Sequence, residues 1–385
     1  MITQLQLPVG AKIMPDFMLS IEDKALERSI AERVMSLKVT DNSGFSADSL
    51  EVTFDDSDSA LEMPLRGAVL HLHLGWKGKP LIDCGRFVVD TVKHIGAPDK
   101  LTIVARSADF RGSFNTKGSY SYDDYTLGAI VGIISRRNKL LPANLSPEMA
   151  AIKVSHIDQT DETDAFFLMR LAQLYGAQAS VKQGAIIFIK SGYAVTGSGK
   201  SLPWMTINRS DGDSHNFEIA DKHSYSGVKA KWHDAKKAQA AQSGIQRTSG
   251  TTNAATTPHP NAKSASTPPA KTSSDEQNYM VGSPENVLVL SKIYPDKDTA
   301  TRAADAIFKQ VQIGLASFSI KLALGRADLS PQTPVVVRGF KQIIDQQRWI
   351  IDSVVHDVNG SGFVTTLNLK LYIDDVAYQH SEPQN

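Results

Sequence analysis

The sequence predicts an α+β, β-rich protein with two antiparallel β-rich bodies, an α+β insert between them and a flexible linker interrupting the second body. Three observations carry that prediction. Apolar residues alternate with period two on both sides of the chain centre, the signature of half-buried strands. Two runs in the middle switch to helical spacing. One long stretch is too poor in large apolar residues to fold on its own. The resulting boundaries are 1–112 for the first body, 113–192 for the insert, 193–234 and 280–375 for the two parts of the second body, 235–279 for the linker and 376–385 for a C-terminal tail.

The bulk properties agree with a folded chain holding more than one core. There are 385 residues, 41% hydrophobic and 21% charged, enough to bury several layers of structure. Lysine plus arginine and aspartate plus glutamate both number 41, which leaves no net field to draw the protein onto nucleic acid or an anionic membrane. Cys84 is the single cysteine. It excludes an intramolecular disulfide and zinc sites built on paired cysteines, and it favours assembly in a reducing cytoplasm. The N-terminal "MITQLQLPVGAKIMPDF" lacks the basic start and apolar core of a signal peptide, and no apolar run reaches bilayer length. The expectation is a chain neither exported by that route nor membrane-spanning.

In the first body, "SLKVTDNSGFSADSLEVTFDD" places the turn "DNSG" between two alternating runs. "RGAVLHLHLGWKGKPLIDCGRFVVDTVKHIGAPDKLTIVARSADF" repeats the pattern around "GWKGK" and "GAPDK", as an antiparallel sheet or small barrel would. Alternation sets His71 and His73 on one strand face and Leu70, Leu72 and Leu74 on the other. Two histidines at i and i+2 can ligate a metal; with no third ligand evident, a solvated or interface face is the expected role.

In the insert, Leu127, Ile130, Val131 and Ile134 fall at helical spacing, and Phe167, Leu168, Leu171, Leu174 and Tyr175 do so again before Gly176. The second run follows "HIDQTDETD", a histidine and four acids in nine residues. Thr160 or Thr163 is a natural N-cap there, and Asp161, Glu162 and Asp164 would favour the positive end of the helix dipole. The cluster is therefore read as a helix start. "AQASVKQGAIIFIKSG" reads as a hairpin turning at "KQG".

Two further phrases imitate known sites and fail. "GYAVTGSGKSLP" lacks the first glycine of a phosphate loop, with Ala194 in its place, and Pro203 stands where a helix should begin. "DGDSH", Asp211 to His215, opens like a calcium loop but lacks the later acids. The stretch 235–274 contains no acid and no aromatic, and its five lysines and arginines give it only weak positive charge. As a coil of about 40 residues it would span roughly 35 Å. After it come a strand in "NVLVLSKIY", a helix burying Ala303, Ala304, Ile307, Phe308 and Val311, a strand with Phe318, Ile320, Leu322 and Leu324 alternating, and "PVVVRGF", "RWIIDSVVHDV" and "GFVTTLNLKLYI", the last two joined by "NGSG". No catalytic, cofactor-binding or metal-ligating residue is assigned from these patterns.

Several of these phrases in order, among them "TDNSGFSADSLEVTFDD", "GRFVVDTVKHIGAPDKLTIVARSADFRGSFN", "HIDQTDETDAFFLMRLAQLYGA", "RSDGDSHNFEIAD" and "FSIKLALGRADLSPQTPVVVRGFKQIIDQQRWII", resemble the late control D protein family of contractile-tailed phages, which are tail or baseplate hub proteins. The resemblance runs from about Ile13 to Ile373. The segment Glu162 to Gly176, with Thr163 where the pattern has serine, is also similar to the hub region of type VI secretion spike proteins. The resemblance implies two tube-like antiparallel β-barrel domains per subunit, a homotrimeric ring with a pseudo-sixfold surface, and an adapter between a hexameric tail tube and a trimeric spike. It further implies the tail spike, the tail tube and other baseplate proteins as partners, assembly in the host cytoplasm, a place in the virion tail, and neither enzymatic activity nor a cofactor. The rival classes are a hub-associated cell-wall hydrolase, which would need a paired-carboxylate or metal module, and a DNA-binding late-gene regulator, which would need a basic recognition helix.

Overall fold

The computed structural model describes residues 13–107, 114, 116–182, 184–190, 201–219, 225–234, 239–247, 286–294, 296–372 and 378–381. The chain divides into two compact units. The first comprises Met1–Ala172, Ala177–Glu218 and Ser317–Tyr372; the second comprises Gln173–Gly176, Ile219–Ala316 and Ile373–Asn385.

The first unit is built on a 13-stranded sheet. Its N-terminal part contains the strands Pro15–Ile21, Lys24–Ala25, Val34–Asn42, Ser49–Asp55, Val69–Trp76, Ile82–Ile95 and Lys100–Ser107, where alternation places them. Leu70, Leu72 and Leu74 are fully buried, as are Leu37, Leu50 and Val52. The C-terminal part adds Met205–Asn208, Gly212–Ile219, Ala316–Leu322, Pro334–Arg338, Arg348–Asn359 and Gly362–Leu371. Trp349 anchors this part, with Phe318 at 5.5 Å and Phe217 edge-on at 6.2 Å between ring centroids. Leu324 lies beyond the strand expected to carry it and is exposed.

The two β-rich bodies meet in one hydrogen-bonded sheet. Val34–Asn42 pairs antiparallel with Arg348–Asn359, from Ser353 opposite Asn42 to Val358 opposite Leu37. Val358 and Phe363 join the N-terminal core, Phe363 lies 5.2 Å from the Trp76 ring, and the Trp76 indole donates to the Gly325 carbonyl at 2.9 Å. Each run alone has the pattern of a half-buried strand, and this long-range pairing gives Val34–Asn42 its second neighbour and covers the half of Arg348–Asn359 that Pro334–Arg338 leaves open.

The insert holds a two-stranded sheet, Lys117–Thr126 with Lys153–Thr163, and a three-stranded one, Ala177–Lys182, Ala185–Lys190 and Leu141–Leu145. Its helices Leu127–Arg137 and Asp164–Leu174 bury the apolar faces read from spacing: Leu127, Ile130, Val131 and Ile134 in one, Phe167, Leu168 and Leu171 in the other. Thr126 caps the first by accepting from the Ala129 amide. Gly176, at φ +62, supplies the left-handed turn that ends the second.

In the second unit, the strands Val287–Tyr294, Gly227–Asp234, Gln239–Arg247 and Tyr378–Ser381 form a sheet in that order. The helix Lys297–Ile313, capped by Asp296, lays Ala300, Ala303, Ala304 and Phe308 against Val228, Ala230 and Ile245. Gln239–Arg247 falls within the stretch 235–279 expected to be linker. Its residues alternate weakly, and a place between two neighbouring strands satisfies a backbone that composition alone would leave unpaired. The rest of that stretch, 248–279, lies outside the described residues, as does 191–200 with the phosphate-loop mimic around Ala194. Among the described residues no helix is long and apolar enough to cross a membrane.

Candidate functional site

Among the described residues of the first unit, three clusters of polar side chains bear on the residues singled out from the sequence. The first is a groove of about 810 Å³ whose lining includes Asp41, Asp48, Lys182, Asp328 and His356. The hairpin strand Ala177–Lys182 carries Lys182 to Asp41 at 2.7 Å and Asp48 at 2.5 Å. Burial works against the ammonium, but the two carboxylates more than offset it and raise its pKa. Burial in turn holds the Asp41 carboxyl above the usual range, against the pull of Lys182. His356, on the seam strand, is 3% exposed and shares a 2.9 Å hydrogen bond with the Thr365 hydroxyl. Burial pushes its pKa down to about 4, with Asp328 pulling weakly the other way, so it is neutral at physiological pH. Burial pushes the Cys84 thiol, which also lines the groove, up to about 12, and a thiol in that state is a poor nucleophile. At this end of the groove the Lys182 cluster ties the hairpin to the sheet.

The second place is the acidic stretch before the helix Asp164–Leu174, and the structure sorts its members. His156 to Thr163 extends a strand rather than a pre-helical turn, with the register shifting between Gln159 and Glu162. Thr163 is the cap, accepting from the Phe166 amide at 3.2 Å. Of the three acids expected in the first turn, Asp164 alone is there. Asp161 reaches Lys117 at 2.9 Å, and Glu162 pairs with Arg170. Asp164 is buried and takes a two-pronged contact from Arg137, together with bonds from the Asn138 and Gln159 amides at 2.6 and 2.8 Å. Arg137 also lies over the Tyr120 ring at 3.8 Å. His156 stays outside, its Nδ1 at 2.6 Å from Asp123 and its Nε2 at 3.1 Å from Asp158. The hydrogen bond with Asp123, followed by the charge of Asp158, holds its pKa above the ordinary value.

The third place is the solvent-side face of Val69–Trp76, whose His71 and the facing Asp83 also line the groove. His71 and His73 do share that face, with ring centroids 4.4 Å apart. Sequence reasoning missed their neighbour Asp83. Leu72 pairs with Gly85 but His73 pairs with Asp83, so Cys84 is an extra residue in a β-bulge. Gly85, at φ +100, makes the bulge sterically possible. Asp83 then lies 2.9 Å from His71 Nε2 and accepts from the Gly85 amide at 2.8 Å. Burial works to raise the Asp83 carboxyl, yet the Gly85 amide and His71 together hold it below the usual range. The "DCG" triplet was the available signal, since a glycine inside a strand pattern often marks a bulge. Asp211, the calcium-loop candidate, accepts from the Asn208 amide at 2.8 Å in a short 3₁₀ turn.

Comparison with known proteins places this architecture. Residues 47–362 match the family model described as phage tail baseplate hub (GPD). The chain is 47% identical over 386 residues to the probable baseplate hub protein of Escherichia phage 186, covering 98% of each. It is 45% identical over 388 residues to the protein of the same name from Escherichia phage P2, covering 100% of each. Its fold resembles that of an Escherichia coli protein described as a component of the type VI secretion system with structural similarity to the T4 tail proteins gp27 and gp5. That likeness has a TM-score of 0.51 at 13% identity and covers 94% of this chain and 78% of the other.

Proposed function

The chain belongs to the phage tail baseplate hub family, and we propose that it acts as the hub subunit of a contractile tail, three copies closing into a ring that adapts a hexameric tail tube to a trimeric spike. Family membership along the whole chain carries this reading. The sheet supports its geometry: alternating strands lie on both sides of the seam between Val34–Asn42 and Arg348–Asn359, so one subunit can offer two tube-like β folds. Three subunits then present six similar surfaces to the tube and three true repeats to the spike, and closed cyclic symmetry keeps the assembly from growing into a filament.

Subunit contacts in such a ring need strand edges and apolar surface. Gly212–Ile219 stands at one end of the strand order and the two-residue Lys24–Ala25 at the other, and edges of this kind invite pairing with another chain. Met14, Met18, Met35 and Ile82 are exposed on the same unit, the kind of surface that contacts with spike, tube and other baseplate proteins would cover. The work is mechanical, the assembly forms in the host cytoplasm and the product is part of the virion tail. The alternatives, a hub-associated cell-wall hydrolase and a DNA-binding late-gene regulator, draw no support from a groove whose lysine is tied to two carboxylates and whose thiol stays protonated.

Cryo-electron microscopy of the assembled particle, or of the chain co-expressed with its spike, tests the proposal. Three copies per spike trimer are expected. Six copies, or none in the particle, overturn it.

A further inference from the structure

We propose that His71, His73 and Asp83 bind a first-row divalent metal ion, with zinc the best match, on the solvent-side face of the first unit's sheet. One donor atom from each of the three lies within 4.8 Å of the others. The two imidazoles come from alternate positions of one strand and the carboxylate from the facing strand, so the three converge from opposite sides of a strand pair.

Two independent features point to a ligand rather than to three polar residues that happen to be neighbours. The Nδ1 atom of His73 is buried and has no hydrogen-bond partner, an uncommon state for a buried polar atom and one that calls for an explanation. The bulge at Cys84 turns Asp83 onto the histidine face, and the Gly85 amide fixes its carboxylate there, which is how supporting hydrogen bonds orient a metal-ligating acid. A regular pairing without the extra residue would have kept the ladder intact, whereas bulges commonly serve to re-aim a side chain.

The donor set is two nitrogens and one oxygen, suited to zinc and its neighbours rather than to calcium or magnesium. Metal–nitrogen and metal–oxygen bonds near 2.1 Å place the donors of a tetrahedral ion roughly 3.4 Å apart. Binding therefore requires the present spread of up to 4.8 Å to contract to that distance through rotation of the imidazoles. His71 and Asp83 side chains are 20% and 51% exposed, which provides an entry path and leaves the fourth position to water. On binding, the hydrogen bond between His71 Nε2 and Asp83 is exchanged for two bonds to the ion. The neutral ring of His71 then carries its proton on Nδ1, and any proton of an imidazolium passes to solvent. The ion would clamp Val69–Trp76 to Ile82–Ile95 across the irregularity in their ladder. His156 makes a contrast: its two nitrogens face two different carboxylates, so those groups diverge instead of sharing a centre.

The test uses the untagged full-length chain, stripped with EDTA, dialysed and titrated with ZnCl2 by calorimetry and with CoCl2 by visible spectroscopy. One equivalent bound at micromolar or lower Kd is expected, with the intense visible bands of four-coordinate cobalt and a raised Tm. His73→Gln and Asp83→Asn should each weaken binding by about 100-fold or more, beyond the range of losses seen when only a supporting partner is removed, while His156→Gln leaves it unchanged. Asp83→Asn, at a half-exposed position, decides the matter if His73→Gln fails to fold. Absence of stoichiometric uptake by the wild-type chain, or binding by folded Asp83→Asn as tight as wild type, overturns the site. Neither result bears on the copy number in the particle, so the hub reading and the metal site stand or fall separately.

Discussion

Within one nine-residue stretch the insert sets an open electrostatic cluster beside a closed one. His156, Asp123 and Asp158 keep half or more of their side-chain surface in water, at 58%, 68% and 50%. Eight residues on, Asp164 keeps 5%, and its partner Arg137 keeps 22%. The residue types and distances are similar, but solvent screens the first group, and ion pairs of that kind are worth little. The second group has given up its water, and each member depends on the others being there. Acid-rich composition therefore says where charges are, and burial says which of them the fold cannot lose.

The strongest way to break that contrast is to remove Asp164. Asp164→Ala leaves the Arg137 guanidinium without its counter-charge inside the insert, while the Asn138 and Gln159 amides keep their bonds to the Ile134 and Glu162 carbonyls, and the expected cost is about 3–5 kcal/mol, read from urea unfolding. The double variant Arg137→Met, Asp164→Leu should recover most of it, because the penalty comes from an uncompensated charge rather than from loss of a favourable pair. A cost under about 1 kcal/mol for the single variant would place Asp164 with the surface groups.

The buried histidine of the sheet extends the comparison to pH. His356 has a depressed pKa of about 4, so the unfolded chain takes up a proton before the folded one does. The contribution is fully present above the unfolded value near 6.5 and is lost as pH falls from there toward 4, amounting to roughly 3 kcal/mol across the window. The readout is the difference between wild type and His356→Gln in urea melts at pH 7 and pH 4.5, which cancels the opposing titration of Asp41. Equal slopes in the two proteins would show that His356 is not held neutral.

A smaller effect separates the two threonines. Thr163→Ala should cost about 0.5–2 kcal/mol, as loss of an N-cap does, while Thr160→Ala, on the strand and exposed, should stay within about 0.5 kcal/mol. The reverse order would move the helix start upstream.

Least of all should come from His156. Its pKa is raised by Asp123 and Asp158, so whatever it contributes is present below the unfolded pKa and disappears as pH rises through the folded one. An NMR titration should find its midpoint above 6.5, and His156→Gln should leave the melting temperature nearly unchanged. A midpoint at or below 6.5 would mean that the acids do not act on it as their geometry requires.

The legible features are those whose cause is local. Strand alternation around Leu70 to Leu74 and around Phe318 to Leu322, the helical faces of Leu127 to Ile134 and Phe167 to Leu171, and the stop at Gly176 each depend on a few neighbouring side chains and on backbone geometry, so the sequence alone determined them. The ordered resemblance along the chain likewise led to the hub family. What neighbours cannot encode was decided by tertiary structure. The edge of Val34–Asn42 selects Arg348–Asn359, and the Ser43 hydroxyl reaches Asp352 across 309 positions. Gln239–Arg247 becomes a strand because strands stand on both its sides, despite a composition that reads as linker. Asp83 meets His71 and His73 because one extra residue shifts the register of a pairing, and Asp164 is buried because Arg137 comes from another helix to meet it. Periodicity reports which face of an element is apolar. Which partner covers that face, and therefore which polar groups lose their water together, depends on contacts between segments far apart in the chain.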